Sequence, residues 1–379
     1  MKVIYLVESK FCKRDYDRFG IEILCDRGYS DIEVWDLSAW FRPDYFNKYR
    51  PADLIAGENY KSISSNKVAI GLLKLLPRDS IFVCILKPSI KSMAFFSYLN
   101  KNNFTYGFLS FGYFPVRGNL YKIKKILNDP LLILKRLVNL ISVKMYTLAT
   151  LSIHANFVIL GGGVATSGHI NSKTVILKGH TLDYDLFLSA DFTSTARKKE
   201  NIVFLDDNGP NHPDDIDRNT AFTAETYYRV LNNFFNSLEV KLGMEVIIAP
   251  HPRSDYKRTG NPFNGRIISD LTTIQTIKES SVVISHGSTA TSFAVLYNKP
   301  MLFMLNRLYP SYSHEGIKNM AKVFHKEPID ISVSDFIIQD SDLIIDSDAY
   351  NFYKELYIKE SGTPEKKTWD IFADYLDTI

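Results

Sequence analysis

Val246-Ile247-Ile248-Ala249-Pro250-His251-Pro252-Arg253 and Val282-Val283-Ile284-Ser285-His286-Gly287-Ser288-Thr289-Ala290 decide how this chain folds. Each is a short apolar run that stops abruptly at polar residues suited to holding a ligand. Such runs, bounded by turn residues, read as buried strands. The second continues into Thr291-Ser292-Phe293-Ala294-Val295-Leu296-Tyr297, which has helical spacing, and then into Lys299-Pro300-Met301-Leu302-Phe303-Met304, another strand. Strand, small-residue turn, helix, strand is the pattern of a parallel βαβ unit. It predicts Gly287, Ser288 and Thr289 at a helix N-terminus, where free backbone N–H groups and the helix dipole attract an anion such as a phosphate.

The same alternation extends in both directions. In the first half, strands are expected at Lys2–Val7, Ile32–Asp36, Ser80–Ile85, Thr105–Ser110, Phe157–Leu160 and Thr174–Leu177, with helical segments such as Asp15–Arg27 and Ser89–Asn100 between them. Thr193-Ser194-Thr195-Ala196-Arg197-Lys198-Lys199-Glu200 is small, polar and charged, and reads as a linker. Beyond it, strands are expected at Ile202–Leu205, Glu245–Ala249, Gly265–Ile268, Val282–Ser285 and Pro300–Leu305, and helices at Thr223–Leu242, Thr273–Ser280 and Thr289–Tyr297. The tail, Tyr350–Ile379, reads as helical, with Trp369, Phe372 and Tyr375 forming a packing face. The expected fold class is α/β: two Rossmann-like domains facing a cleft, followed by C-terminal helices. The expected division is 1–193, an acceptor-binding domain; 194–335, a nucleotide-sugar-binding domain; and 336–379, a helical segment packing back on the first domain.

At 379 residues the chain is too long for one core of usual size. Its 45% hydrophobic and 23% charged content is globular. A net charge of +3 gives no argument for nucleic acid. Cys12, Cys25 and Cys84 form no CxxC pattern and read as thiols in a reducing compartment. The N-terminus lacks a signal-peptide pattern, and no apolar run reaches the roughly 18–20 residues that span a bilayer, so a cytoplasmic location is expected. Asp129–Leu151 is amphipathic and in basic surroundings, with Lys122, Lys124 and Lys125 before it and Lys135, Arg136 and Lys144 within it. It reads first as a helix packed on the sheet; the alternative is peripheral contact with the inner membrane. Gly161-Gly162-Gly163 follows a strand but lacks a dinucleotide fingerprint, and reads as a tight turn facing the interdomain cleft, with or without contact to ligand.

Three constellations carry chemistry. Asp206 and Asp207 end the strand Ile202–Leu205, ahead of Asn208-Gly209-Pro210-Asn211-His212-Pro213-Asp214. A carboxylate there suits a general base or nucleophile; the structural alternative is an Asx-turn. His251, with Pro252 and Arg253, presents an imidazole and a guanidinium suited to neutralising a phosphate leaving group. His286, Gly287, Ser288 and Thr289 supply a close backbone approach and hydroxyl donors; a plain N-cap is the alternative. No HxxxH-like spacing points to a dedicated metal site.

A carboxylate motif, an HP motif and an S/T motif, each at a strand end of the C-terminal half, resemble the bacterial sialyltransferases and the capsule and O-antigen Kdo transferases of GT-B-type fold. The wording "APHPRS…VISHGSTATSFAVLYNKPML" also resembles the CDP-glycerol glycerophosphotransferases and the polysialyltransferases. The similarity covers Ile202–Leu305. It implies that Asp206 or Asp207 takes the acidic-motif position, with Asn208 an insertion against the family's acidic-acidic-Gly form. It implies that His251 is the HP-motif histidine on the nucleotide phosphate, and that Ser288 and Thr289 hold the CMP phosphate. It further implies a metal-independent glycosyltransferase with no cofactor, whose donor is a CMP-activated nonulosonate or Kdo-type sugar. The acceptor would be a surface polysaccharide or lipid-linked glycan, as in capsule or lipopolysaccharide biosynthesis. The alternatives are a CDP-glycerol-type polyol-phosphate transferase and a non-catalytic nucleotide-binding subunit of a polysaccharide assembly complex.

Overall fold

The computed structural model describes residues 1–49, 51, 53–111, 115, 153–190, 200–211, 223–252, 254–308, 311–333 and 336–379, at 211 and 311–313 the backbone alone. Two compact units emerge. The first comprises residues 1–111, 153–180 and Thr363–Ile379; the second comprises Thr181–Gly362. The chain enters the second unit at Thr181, not at the expected 193/194, and of the expected helical tail residues 336–362 belong to the second unit.

The first unit is built on a seven-stranded sheet: β1 (Val3–Val7), β2 (Ile32–Asp36), β3 (Tyr60–Ser62), β4 (Ile81–Ile85), β5 (Thr105–Phe111), β6 (Phe157–Gly161) and β7 (Val175–Gly179), in the order β3-β2-β1-β4-β5-β6-β7. All pairs are parallel. β1 is buried throughout, as befits a strand covered on both faces. Its alternate residues serve two cores. Ile4 and Leu6 pack with Phe82, Phe95, Phe96 and Leu99. On the other face the Tyr5 ring lies 5.6 Å from that of Trp369.

Trp369 belongs to the last helix, Thr368–Leu376, and explains a break in an early one. Asp15–Arg27 reads as one helix but forms two, Lys13–Arg18 and Ile21–Asp26. Gly20 between them has φ +62°, and a Cβ there would stand 2.0 Å from the Trp369 ring. The indole N–H donates to the Arg18 carbonyl at 2.7 Å. Phe372 and Tyr375 lie 5.1 and 5.2 Å from Phe157, so the aromatic stripe is a packing face. Gly161, the first of the glycine triplet, ends β6, with room for a Cβ closed off by Phe111 and the His180 backbone.

The second unit carries a five-stranded parallel sheet: β8 (Asn201–Leu205), β9 (Glu245–Ala249), β10 (Val282–Ser285), β11 (Met301–Leu305) and β12 (Ile329–Asp330), in the order β12-β11-β10-β8-β9. The expected strand Gly265–Ile268 is reduced to a single bridge, Ile248 with Ile268. The helix Ala224–Leu242 covers one face, with Tyr227, Leu231 and Phe235 against Phe204 and Ile284. The helices Thr273–Glu279, Thr291–Leu296 and Ser311–Val323 cover the other, against Val203, Val283 and Phe303. Among the described residues no helix is long and apolar enough to cross a membrane. The Asp129–Leu151 stretch and linker residues 193–199 lie outside the described residues.

Gly20→Ala is expected to destabilise the protein by roughly 2–4 kcal/mol, combining the left-handed backbone penalty with overpacking. Urea unfolding reads this. Unchanged stability would mean that Trp369 does not occupy the space beside Gly20.

Candidate active site

Parallel pairing brings the chemistry-bearing residues of the second unit to one edge. Phe204 aligns with Ile248 on β9 and with Ile284 on β10. Asp206, His251 and His286 therefore all leave the carboxyl ends of neighbouring strands. β8 is central between β9 and β10. The chain leaves β8 through the helix Ala224–Leu242 on one face and leaves β10 through Thr291–Leu296 on the other. This is a topological switch point, where open α/β sheets leave a crevice for ligand.

The adjacent carboxylates part company there. Asp206 is 3% exposed. Its Oδ1 accepts the Asn208 backbone N–H at 3.0 Å, an Asx-turn that holds Asn208 at φ +55°. Its Oδ2 accepts the His251 backbone N–H at 3.3 Å and the Tyr256 hydroxyl at 2.7 Å. Burial, and then the neighbouring Asp207 charge, push its carboxyl up to about 7, against the pull of these three donors. Asp206 thus ties the end of β8 to the loop after β9.

Asp207 is more open, its side chain 29% exposed. Its Oδ2 lies 3.4 Å from His286 Nδ1, and its Oδ1 accepts from the Tyr227 hydroxyl at 3.4 Å. His286 is buried, its ring stacked on Phe204 with centroids 5.4 Å apart. A carboxylate facing Nδ1 sets the imidazole with its proton on that nitrogen.

The Gly-Ser-Thr turn departs from expectation. The helix begins at Thr291, not Thr289, and spans only Thr291–Leu296. Gly287 turns the chain at φ +107°, and the Ser288 hydroxyl accepts the Ala290 N–H at 3.2 Å. Ser285 and Thr291 hydroxyls, 2.8 Å apart and buried, close the turn. Gly287, Ser288 and Thr289 therefore form a partly exposed turn ahead of the helix. Arg253 lies outside the described residues.

Sequence reasoning did not find Tyr256, Tyr227, Phe204 or Asn306. Tyr256 sits in a short turn of helix, Tyr256–Thr259, beyond the HP motif, and its ring packs 5.3 Å from Phe263. Asn306 follows β11 and is fully buried, its Oδ1 accepting from Leu308 N–H at 3.0 Å and its carbonyl accepting from His314 Nε2 at 3.1 Å. The only prior signal for Asn306 is a polar residue directly after an apolar run. Among the described residues no group of three His, Cys, Asp or Glu side chains is arranged to hold a metal.

No protein-family model matches the sequence, and no curated protein matches it either. Solved structures resemble it in fold. The Wall Teichoic Acid Polymerase TagF aligns over 100% of this chain and 88% of its own, at 11% identity and a TM-score of 0.50. A histidine-to-alanine variant of TagF covers the same shares at 10% identity and a TM-score of 0.52. MurG of Acinetobacter baumannii aligns over 100% of both chains at 10% identity and 0.47. The fold is α/β with parallel sheets, of the GT-B type.

A carboxyl whose folded-state value lies above its unfolded value binds its proton more tightly in the native state. Its contribution to stability is then largest at low pH and declines as pH rises from about 4 through about 7. Wild-type stability is expected to fall across this window relative to Asp206→Asn, which cannot titrate there. Urea unfolding at stepped pH measures the difference. A wild type that instead gains stability over the window would mean that Asp206 ionises below its ordinary value.

Proposed function

We propose that this chain is a metal-independent glycosyltransferase that moves a nonulosonate or Kdo-type sugar from a CMP-activated donor to a polysaccharide or lipid-linked glycan. The observation that carries it is the convergence of Asp207, His251 and His286 on the carboxyl edge of one parallel sheet, at its switch point. The GT-B-type fold supports a nucleotide-activated donor, and the HP and S/T motifs support the cytidine nucleotide.

Asp207, the more open carboxylate, takes the proton of the acceptor hydroxyl. The hydroxyl oxygen bonds to the anomeric carbon as the bond from that carbon to the phosphate oxygen breaks. CMP leaves with the electron pair. His251 and Arg253 stabilise the charge that develops on its phosphate, the histidine by hydrogen bond or proton donation. Gly287, Ser288 and Thr289 seat the phosphate in donor and transition state alike. His286 and the Tyr227 hydroxyl brace Asp207.

A second reading is polyol-phosphate transfer from a CDP-polyol. Likeness to the Wall Teichoic Acid Polymerase TagF over the whole chain favours it. CMP is the leaving group in both readings, so the histidine does the same work; only the electrophile changes, from carbon to phosphorus.

CMP release from CMP-Kdo, a CMP-nonulosonate and CDP-glycerol, each with and without glycan acceptor, separates the readings. Release from a sugar donor, raised by acceptor, is expected. Release from CDP-glycerol alone favours the second reading, and CMP binding without any release leaves a non-catalytic subunit. In the active reaction, Asp207→Asn and His251→Ala should each cut turnover by about a hundredfold or more while the Asp207 variant still binds CMP. A folded Asp207→Asn protein with near-normal turnover would remove that carboxylate from the chemistry.

A further inference from the structure

Of the two carboxylates expected at the acidic-motif position, Asp206 is the less accessible. Three donors converge on its two oxygens: the Asn208 and His251 backbone N–H groups and the Tyr256 hydroxyl. A general base needs the proton it takes within hydrogen-bond reach. A side chain 3% exposed and capped by its own loop does not offer that. Of its three donors, two come from the segment carrying the HP motif.

Other contacts fix the described part of that segment too. Ser254 turns it back, its N–H and hydroxyl both bonding to the His251 carbonyl at 2.8 and 2.7 Å. Tyr256 packs its ring against Phe263 and sets its hydroxyl 3.4 Å from that of Tyr228, which stands on the helix Ala224–Leu242. From Tyr256 the line of contact runs to Asp206 Oδ2 and from there to the His251 main chain.

We propose that Tyr256 and Asp206 are positioning residues: the Tyr256 hydroxyl fixes the Asp206 carboxylate, and the carboxylate fixes the His251 backbone, so that the imidazole is presented at the strand edge. This rests on the reading of His251 as the phosphate-side group, and it leaves Asp207 as the carboxylate that meets substrate. The groups facing Asp206 are Asp207 and, through it, His286 just beyond β10; His251 from the loop after β9; and Tyr256 with Tyr228 behind it. Ionised, Asp206 is the stronger acceptor for all three donors. Protonation therefore changes how the His251 main chain is held, and the Tyr256 hydroxyl opposes protonation because it favours the charged form.

Hydrogen exchange of the full chain, followed by mass spectrometry on peptides spanning His251, reads the latch without any substrate. Opening the segment hydrates a carboxyl that burial has raised, so the wild-type protection factor there is expected to decline as pH rises from about 4 through about 7. Tyr256→Phe keeps the ring against Phe263 and removes only the hydroxyl. It is expected to lower that protection at pH 8 by about tenfold, the order of one hydrogen bond to a charged group. With the donor that the wild type turns over, the acidic limb of its kcat profile should move up by roughly one pH unit, with KM for donor little changed. A variant that had lost only packing would lower turnover at every pH and leave the limb in place. Unchanged protection in Tyr256→Phe, or lost protection with an unmoved acidic limb, overturns the proposal. If the variant does not fold, protection that is independent of pH in the wild type overturns it. Absence of turnover in the wild type strikes the transferase reading instead, and exchange still decides the latch.

Discussion

The parallel ladder is the constraint on which the candidate site depends. Parallel strands need a crossover each, so their carboxyl ends fall on the same edge. In the second unit, β8 has a parallel neighbour on each side, in register through Phe204. Three loops that are distant in sequence therefore begin side by side. Whatever leaves those strand ends becomes a site by geometry, with no need for the loops to find one another.

This is why the fold was legible. Strands buried on both faces read as unbroken apolar runs, and Glu245–Ala249 and Val282–Ser285 fall where those runs lie. β3, Tyr60–Ser62, is short and only half buried, so it leaves no such run and was missed. The single-helix reading of Asp15–Arg27 failed for a different reason. Helical spacing continues across Gly20, but Trp369, from the far end of the chain, needs the space a side chain would take. No local pattern carries that information. At Thr289 the sequence signal was ambiguous in itself. Serine caps a turn as readily as a helix, and here the hydroxyl bonds two residues ahead, delaying the helix to Thr291.

The site was legible as a set of motifs but not as a set of roles. Alternation along a strand says that Asp206 and Asp207 point to opposite sides. It does not say which side is open. That depends on Tyr256 and on the His251 backbone, both in the segment after β9, whose path no periodicity predicts. Likewise His286 reads as a ligand-facing histidine, yet its ring is stacked on Phe204, and it reaches the site by way of Asp207.

A buried carboxyl at this position has a physical rationale apart from proton transfer. An apolar residue in place of Asp206 would leave two backbone N–H groups and a tyrosine hydroxyl without their acceptor, at about 1–3 kcal/mol for each buried donor. An amide would offer one acceptor atom where two are used, and would turn N–H groups toward donors. Only a carboxyl can accept at both oxygens. Its cost is the burial of charge, visible as a carboxyl raised to about 7. Near neutrality the group then lies close to its own midpoint, so ionising it costs little there, while it still accepts from the histidine loop. Asp207, one residue on, is more exposed and meets His286 and the Tyr227 hydroxyl instead. Burial divides the adjacent pair between holding the loop and meeting the substrate.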